Sequence, residues 1–207
     1  PKVTLNFTDR SVTNSSLKVT WNVTEKPVGL NMPDKYEIES CAVDDSCKVG
    51  SCMNNTTSTN WYELLELRGA SAYKFRDRAI NLTARDGTVL KHPEGNFSEH
   101  IEVTTQEGAP TQAPLNVSAK PHSQTSIRIT WNEVDVCHRN GKIVEYNVEM
   151  YNSTWGQKWY GDFNNTNLGE AIVENLVYAI YRVRARARTE AGEGPYSEWH
   201  NTTTHKP

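Results

Sequence analysis

The sequence predicts an all-β protein made of two tandem antiparallel sandwiches, and two observations carry that prediction. The chain repeats itself, because Thr20-Trp21-Asn22 returns as Thr130-Trp131-Asn132, 110 positions later. A repeat of about one domain length indicates two copies of one fold. The second observation is the period of the apolar residues, which alternate with polar residues in short runs as they do in β-strands, with no long run of helical period.

The strands follow in chain order from this alternation. Residues 17–21 and 127–131 form one matched pair, and each run ends on the repeated tryptophan. Residues 35–39 and 145–149 form the next pair. Residues 181–188 alternate small apolar residues with four arginines, so one face of this strand is apolar and the other is strongly basic. Turn dipeptides such as Asn-Gly and Asp-Gly fall between the runs, as a sandwich of short strands requires.

Composition excludes several classes of function. The 207 residues suit two domains of about 100 residues each. A net charge of −3 and a pI near 6.1 give no bulk attraction to nucleic acid or anionic lipid. No stretch is long and apolar enough to span a membrane, so we expect no nucleic-acid partner and no direct membrane contact in this segment. The chain begins at Pro1 without a signal peptide, which suggests an excised piece of a longer protein.

The compartment is indicated by glycosylation signals. Asn-X-Ser/Thr sequons are dense, which favours a secreted or cell-surface protein, because N-glycans require the secretory route and exposed asparagines. Asn54 and Asn55 overlap, so only one of them is expected to carry a glycan. The predicted sites are Asn6, Asn14, Asn22, Asn54, Asn55, Asn81, Asn96, Asn116, Asn152, Asn164 and Asn201.

The repeated positions resemble fibronectin type III domains. The shared pattern is a Trp that closes the second strand, a Tyr in the third, a Leu followed by a Tyr, and a late Gly-x-Gly-Pro-x-Ser turn. In the second copy these are Trp131, Tyr146, Leu176, Tyr181 and residues 192–197; in the first they are Trp21, Tyr36, Leu67 and Tyr73. The resemblance implies two seven-stranded immunoglobulin-like sandwiches, with strands A, B and E on one sheet and C, C′, F and G on the other.

The domain boundaries follow from this resemblance. We predict a first domain at 1–107, a short Gly/Pro linker at 108–112 and a second domain at 113–207. The first domain bears three of the four cysteines and has long connections at 41–60 and 81–98, the CC′ and FG loops. Long loops on a rigid sandwich are common binding sites.

One residue of the first copy departs from the pattern. Asp77 occupies an inward position of the sixth strand, where this fold normally has valine. We expect either a bulge that turns the carboxylate outward or a buried carboxylate paired with a neighbouring arginine.

The cysteines are predicted to form disulfides. The four are Cys41, Cys47, Cys52 and Cys137, and an even count in an oxidising compartment favours pairing. Because only one lies in the second copy, full pairing within the chain requires one local bridge in the first copy and one interdomain bridge to Cys137. The alternatives are a free Cys137 or a Cys137 linked to a second chain.

Two groups of side chains are candidate binding features. Arginines on strand F face glutamates on strand C and lie near a Tyr-Ser-Glu-Trp run, which resembles the arginine–aromatic ladder of class I cytokine receptors. The predicted ladder residues are Arg182, Arg184, Arg186, Tyr196 and Trp199. The second group is an aromatic partner patch comprising Trp155, Trp159 and Tyr160, around which an adhesion module would keep a glycan-free sheet face.

The predicted function is that of a noncatalytic extracellular segment of a single-pass cell-surface receptor, which binds an adhesion partner or another extracellular protein. We find no catalytic set, cofactor motif or metal-ligand spacing. The run Asn140-Gly141-Lys142-Ile143 before Tyr146 resembles repeats of receptor tyrosine phosphatases and neural-type adhesion receptors, which implies an intracellular enzyme domain in the parent as one expectation. The alternatives are a cytokine-receptor-type module that binds ligand at the interdomain elbow, and a glycosylated spacer. Oligomeric state does not follow from the sequence.

Overall fold

The computed structural model describes residues 4–43, 47, 52–91, 93–156, 158–164 and 169–206. The chain divides into two compact units, Pro1–Gln106 and Glu107–Pro207. The first unit contains β1 (Thr4–Val12), β2 (Leu17–Glu25), β3 (Lys35–Ala42), β4 (Met53–Thr57), β5 (Trp61–Leu64), β6 (Ala72–Ile80) and β7 (Ile101–Thr104). The second contains β8 (Leu115–Ser123), β9 (Ser126–Asn132), a 3-10 turn (Val136–His138), β10 (Glu145–Asn152), β11 (Lys158–Asn164), β12 (Glu170–Val173), β13 (Ile180–Thr189), β14 (Gly192–Glu193) and β15 (His200–Thr203).

Each unit has two antiparallel sheets. In the first unit the sheets have the orders β1-β2-β5 and β4-β3-β6-β7. In the second unit they have the orders β12-β9-β8 and β11-β10-β13, and both β14 and β15 pair with β13. This is the arrangement A-B-E and C′-C-F-G that the resemblance implies, so the predicted pair of all-β sandwiches is confirmed.

The repeated aromatic residues form the centre of each core. Trp21 is fully buried and meets Tyr36 edge-on, with ring centroids 5.4 Å apart. Trp131 and Tyr146 are the equivalent pair in the second unit, with ring centroids 5.7 Å apart and ring planes tilted by 46°. These pairs bridge the two sheets, because the Trp lies on β2 or β9 and the Tyr lies on β3 or β10. Burial of such large rings is the main favourable contribution to the stability of a thin sandwich.

In both units, the tyrosine that follows the shared leucine ties the turn before strand F (β6 or β13) to the sheet. The Tyr73 hydroxyl accepts a hydrogen bond from the Arg68 amide at 3.0 Å. The Tyr181 hydroxyl donates to the Val177 carbonyl at 2.9 Å. Both bonds have the local character of the tyrosine corner found in immunoglobulin-like sandwiches.

Residues 108–112, predicted as a linker, are bonded within the second unit. The Gly108 amide donates to the Asn140 carbonyl at 2.8 Å, and the Thr189 hydroxyl donates to the Gly108 carbonyl at 2.8 Å. Gly108 and Pro110 are buried. These residues therefore belong to the second unit, because their backbone polar groups are satisfied there rather than by water.

The long connections of the first unit have structure of their own. β4 lies inside residues 41–60 and pairs with β3, and a disulfide joins Cys41 to Cys52 at the base of the turn. In the connection between β6 and β7, short bridges pair Leu30 with Ala84 and Thr83 with Val89. Local pairing of this kind restrains loops that would otherwise be mobile.

For Asp77, the expected burial is confirmed, whereas the outward bulge and the pairing with a neighbouring arginine are both wrong. β6 passes through Asp77 in unbroken register with β3, so no bulge turns the side chain outward. Its side chain is fully buried. Arg76 and Arg78 alternate to the outer face and bind Glu39 and Glu37 at 2.7 and 2.6 Å, so neither pairs with Asp77. Strand alternation decides the outcome, since neighbours along a strand point to opposite faces.

Candidate functional site

The arginine–aromatic ladder of the second unit is formed by the outer face of the β11-β10-β13 sheet. Arg184 lies 4.0 Å from the ring centroid of Tyr196 and 4.3 Å from that of Trp199. Arg186 lies 4.6 Å from Tyr196, and Arg182 lies 5.2 Å from Trp199. The five ladder residues that the sequence singles out are thus brought together. Guanidinium groups stacked on aromatic faces stabilise this edge of the sheet.

Glutamates balance most of the ladder charge. Arg184 binds Glu149 at 2.5 Å, and the Glu149 side chain is only 4% exposed. Arg188 binds Glu145 at 3.0 Å across the same pair of strands. The cross-strand ion pairs expected from strand alternation are therefore present. The Glu149 pair should matter more than an exposed pair, because the Glu149 carboxylate would be shielded from water if Arg184 were removed.

The first unit has a second ladder that the sequence analysis missed. Arg76 and Arg78 flank the ring of Phe97, at 4.3 and 4.6 Å from its centroid. Glu39 and Glu37 bind the two guanidinium groups from β3. A hydrogen bond from Arg76 lowers the pKa of Glu39, so the pair stays charged at lower pH than a free glutamate would allow.

A short sequence signal would have revealed this ladder. Phe97-Ser98-Glu99-His100 corresponds to Tyr196-Ser197-Glu198-Trp199. In the first unit the Ser98 hydroxyl accepts from the Asp77 amide at 3.0 Å, and in the second the Ser197 hydroxyl accepts from the Ala185 amide at 3.1 Å. The serine fixes the aromatic residue before it against strand F in each unit.

The predicted aromatic patch is described only in part. Trp155 lies in the turn between β10 and β11 and is 56% exposed. The side chains of Trp159 and Tyr160 fall outside the described residues. The patch therefore stays a prediction.

The sequon asparagines differ in their exposure. Those on surfaces are Asn14, Asn22, Asn54, Asn81, Asn96, Asn116 and Asn201, while the side chains of Asn6 and Asn164 lie outside the described residues. Asn55 is half-buried because it pairs with the buried Ile38. Asn152 is only 5% exposed, and its side-chain carbonyl accepts from the amides of Thr154 and Trp155 at 2.9 and 3.2 Å. The structure therefore argues against Asn152 as an acceptor.

We expect a specific occupancy pattern from this geometry. Of the overlapping pair, Asn54 should carry the glycan, because it faces outward opposite Glu39 whereas Asn55 faces inward. Asn152 should be unmodified, because a glycan needs its amide nitrogen at the surface. Site-resolved glycopeptide mass spectrometry of the secreted protein measures all three, and a glycan on Asn152 or Asn55 would contradict the assignment.

One area of the second unit's smaller sheet, around Arg128 and Ile172, contains no sequon asparagine among its described residues. On the outer face of β8, β9 and β12, one row runs from Lys120 through Arg128 to Ile172. Ile172 is 45% exposed, and Arg128 binds Glu170 at 2.7 Å. Among the described residues of β9 and β12 there is no sequon asparagine, and Asn116 lies four residues before Lys120, near the start of β8. We call this surface the bare face. The aromatic patch instead shares its sheet with Asn201 on β15.

Metal binding finds no support in the described part of the chain. The one group of close metal-ligand types there is Glu39, Cys41 and Cys52. Its two sulfurs are joined to each other as a disulfide, so they are not the thiolates that bind metal. Within the same described residues, no helix has the length and apolar character needed to cross a membrane.

Comparison with known proteins agrees with this architecture. Residues 112–203 match the sequence model of the fibronectin type III domain. The FN1–FN3 domains of chicken CNTN1 superpose with a TM-score of 0.68 and 15% identity, covering 100% of this chain and 68% of that one. At that identity the likeness concerns the fold alone.

Sequence relatives come from adhesion proteins and a receptor phosphatase. Mouse cell adhesion molecule DSCAML1 is 27% identical over 201 residues, which cover 94% of this chain and 9% of the relative. Human contactin-3 is 31% identical over 144 residues, covering 65% and 14%. Receptor-type tyrosine-protein phosphatase F of Danio rerio is 28% identical over 166 residues, covering 79% and 8%. The chain thus spans about a tenth of the length of these relatives.

Proposed function

We propose that this chain is a noncatalytic extracellular segment of a cell-surface adhesion receptor, because it consists of two tandem domains with the fibronectin type III fold. The observation that carries the proposal is its similarity, over 94% of its length, to a protein named as a cell adhesion molecule. Dense sequons support an extracellular location. An extracellular protein is the proposed ligand, and the segment contributes binding and spacing rather than chemistry.

The bare face is the proposed contact surface for that protein. Sequons mark the outer surfaces of both sheets of the first unit, with Asn22 on β2 and Asn54 on β4. In the second unit, Asn201 marks the β15 side of the other sheet. A glycan excludes protein partners from the surface around it. The sheet area around Arg128 and Ile172 is therefore the one most open to a partner protein.

A glycan placed on the bare face tests this proposal. The double substitution Ile172→Asn with Glu174→Thr creates a sequon on the bare face, on its edge strand β12. The control, Tyr178→Asn with Ile180→Thr, adds a glycan to the turn before β13, where the replaced side chains are 46% and 54% exposed. Fluorescent beads coated with each secreted protein are offered to a panel of cell lines and to beads carrying the unmodified chain. We expect the glycan on the bare face to reduce bead binding at least about tenfold, which corresponds to a loss of about 1.4 kcal/mol of binding free energy. The control glycan before β13 should leave bead binding unchanged.

The other outcomes are equally informative. Equal binding by both variants would exclude the bare face while leaving adhesion in place. Absence of binding to every cell line and to the chain itself would favour the glycosylated spacer.

The cytokine-receptor-type module is the second candidate, and the ladder of the second unit favours it. That module requires a fixed elbow, for which the predicted bridge to Cys137 would serve. Since Cys41 pairs with Cys52, we propose that Cys47 is the partner of Cys137 if that bridge forms within the chain. Non-reducing peptide mapping should recover a linked Cys47–Cys137 peptide. A peptide with alkylated Cys137 would remove both the bridge and the main support for this candidate.

A further inference from the structure

One row of side chains crosses the whole outer face of the second unit's larger sheet. Lys158 pairs with Tyr151, Tyr151 with Arg182, and Arg182 with Asn201, on β11, β10, β13 and β15 in turn. Residues directly opposite on neighbouring strands share a face, with their Cβ atoms about 5 Å apart. Asn201 and Arg182 are therefore immediate neighbours on this face.

Arg182 differs from the other three arginines of β13. Arg184, Arg186 and Arg188 each bind a glutamate. Arg182 is exposed and makes no ion pair with any described residue; its contacts are the rings of Tyr151 at 5.0 Å and Trp199 at 5.2 Å. Its guanidinium is thus held in place by two rings, with hydrogen-bond donors left over for another group.

Trp199 completes the surface. It lies two positions before Asn201, so the two side chains emerge on the same side of the chain. Trp199 is half-buried and already contacts Arg184 and Arg182, which fixes its orientation, whereas Asn201 is exposed. An apolar ring face, a cation and a glycosylation signal therefore converge at one end of the sheet.

We propose that the N-glycan on Asn201 packs on the platform formed by Arg182, Trp199 and Tyr151. The core N-acetylglucosamine attached to Asn201 has a flat face of C–H groups that packs on an aromatic ring, and its hydroxyl and acetamide oxygens accept hydrogen bonds from Arg182. The sugar thus becomes part of the fold of the second unit and covers the end of the ladder. The proposal does not depend on the adhesion function.

A double-mutant cycle tests the coupling between the glycan and Arg182. Four versions of the full chain are secreted from mammalian cells: the parent, Asn201→Gln, Arg182→Ala, and both together. We expect loss of the glycan to lower the Tm of the second unit by about 4 °C in the parent and by about 1 °C in the Arg182→Ala background. For a domain of this length, a Tm change of about 4 °C corresponds to about 1 kcal/mol. Asn14→Gln, which removes a glycan from the turn between β1 and β2, should leave the second unit's Tm unchanged.

Direct contact is measured independently of stability. Nuclear Overhauser effects should connect the acetyl methyl group of the Asn201-linked sugar to the indole protons of Trp199. Equal Tm losses in both backgrounds, together with absence of these effects, would overturn the proposal, and so would an unglycosylated Asn201. Failure of the bead-binding experiment would not affect this result, because neither measurement uses a partner.

Discussion

Replacing Asp77 with alanine should stabilise the first unit at neutral pH by about 2 kcal/mol. The Asp77 side chain is fully buried, and loss of water around it raises its pKa from 3.8 to about 6. At neutral pH the folded state must therefore hold a buried carboxylate. The size of the pKa shift limits the free-energy cost of that charge to about 3 kcal/mol. Alanine is compatible with the site, because Ala185 has the equivalent place in the second unit and makes the same bond to a serine hydroxyl.

The stability of the parent should also depend on pH in a defined direction. Between the unfolded value near 3.9 and the folded value of about 6, Asp77 holds its proton in the folded state and loses it on unfolding. Unfolding then releases a proton, so the stability of the first unit falls as pH rises through this window and levels off above it. The stabilisation that protonation provides is complete only below the unfolded pKa.

Unfolding by guanidinium, followed by hydrogen exchange in peptides of each unit, measures both effects. Between about pH 4 and pH 6, the free energy of unfolding should change less with pH in Asp77→Ala than in the parent. The difference in slope should correspond to one proton released on unfolding. Asp34→Asn removes a charge from an exposed loop and serves as the control for net charge. An Asp77→Ala protein that is less stable than the parent at neutral pH, with an unchanged slope, would show that the carboxylate is satisfied in the folded state.

Replacing Arg184 with methionine should destabilise the second unit by about 3 kcal/mol. The substitution leaves the Glu149 carboxylate without its close guanidinium partner while the side chain remains 4% exposed. Lys158 lies 3.8 Å from the same carboxylate and is more than half exposed, so it replaces little of the lost interaction. The cost comes mainly from an uncompensated buried charge rather than from lost attraction.

Arg186→Met is the matched control. Arg186 stacks on the same Tyr196 ring as Arg184, but its partner Glu193 is 48% exposed. We expect a cost below about 1 kcal/mol, because water takes over the freed carboxylate. The double variant Arg184→Met with Glu149→Gln should recover most of the loss in urea unfolding, since it removes the stranded charge. Equal costs for Arg184→Met and Arg186→Met would show that ring stacking, not burial of Glu149, sets the energetics.

Sequence periodicity was sufficient to identify most of the elements that carry these effects. The alternation of arginines along residues 181–188, against glutamates along residues 145–149, places opposite charges on one face before any coordinates are known. The ladder of the first unit was missed because it contains only two arginines and its ring is Phe97. Phe97 lies outside the Tyr-Ser-Glu-Trp motif that identified the ladder of the second unit. The Phe-Ser and Tyr-Ser pairs hold the missing signal, but the serine's role depends on a hydrogen bond to strand F that a linear pattern does not contain.

By itself the sequence determined that the chain consists of two β-sandwiches, which tryptophan and tyrosine form each core, and where sequons occur, because these properties depend on local period and residue type. The tertiary structure decided that Asp77 is buried while its neighbouring arginines pair with glutamates, that Asn54 faces outward and Asn55 inward, and that Asn152 is buried. It also placed Arg182 on β13 directly opposite Asn201 on β15. These outcomes depend on cross-strand register and on the packing of side chains distant in sequence, and a shift of one residue would reverse every one of them.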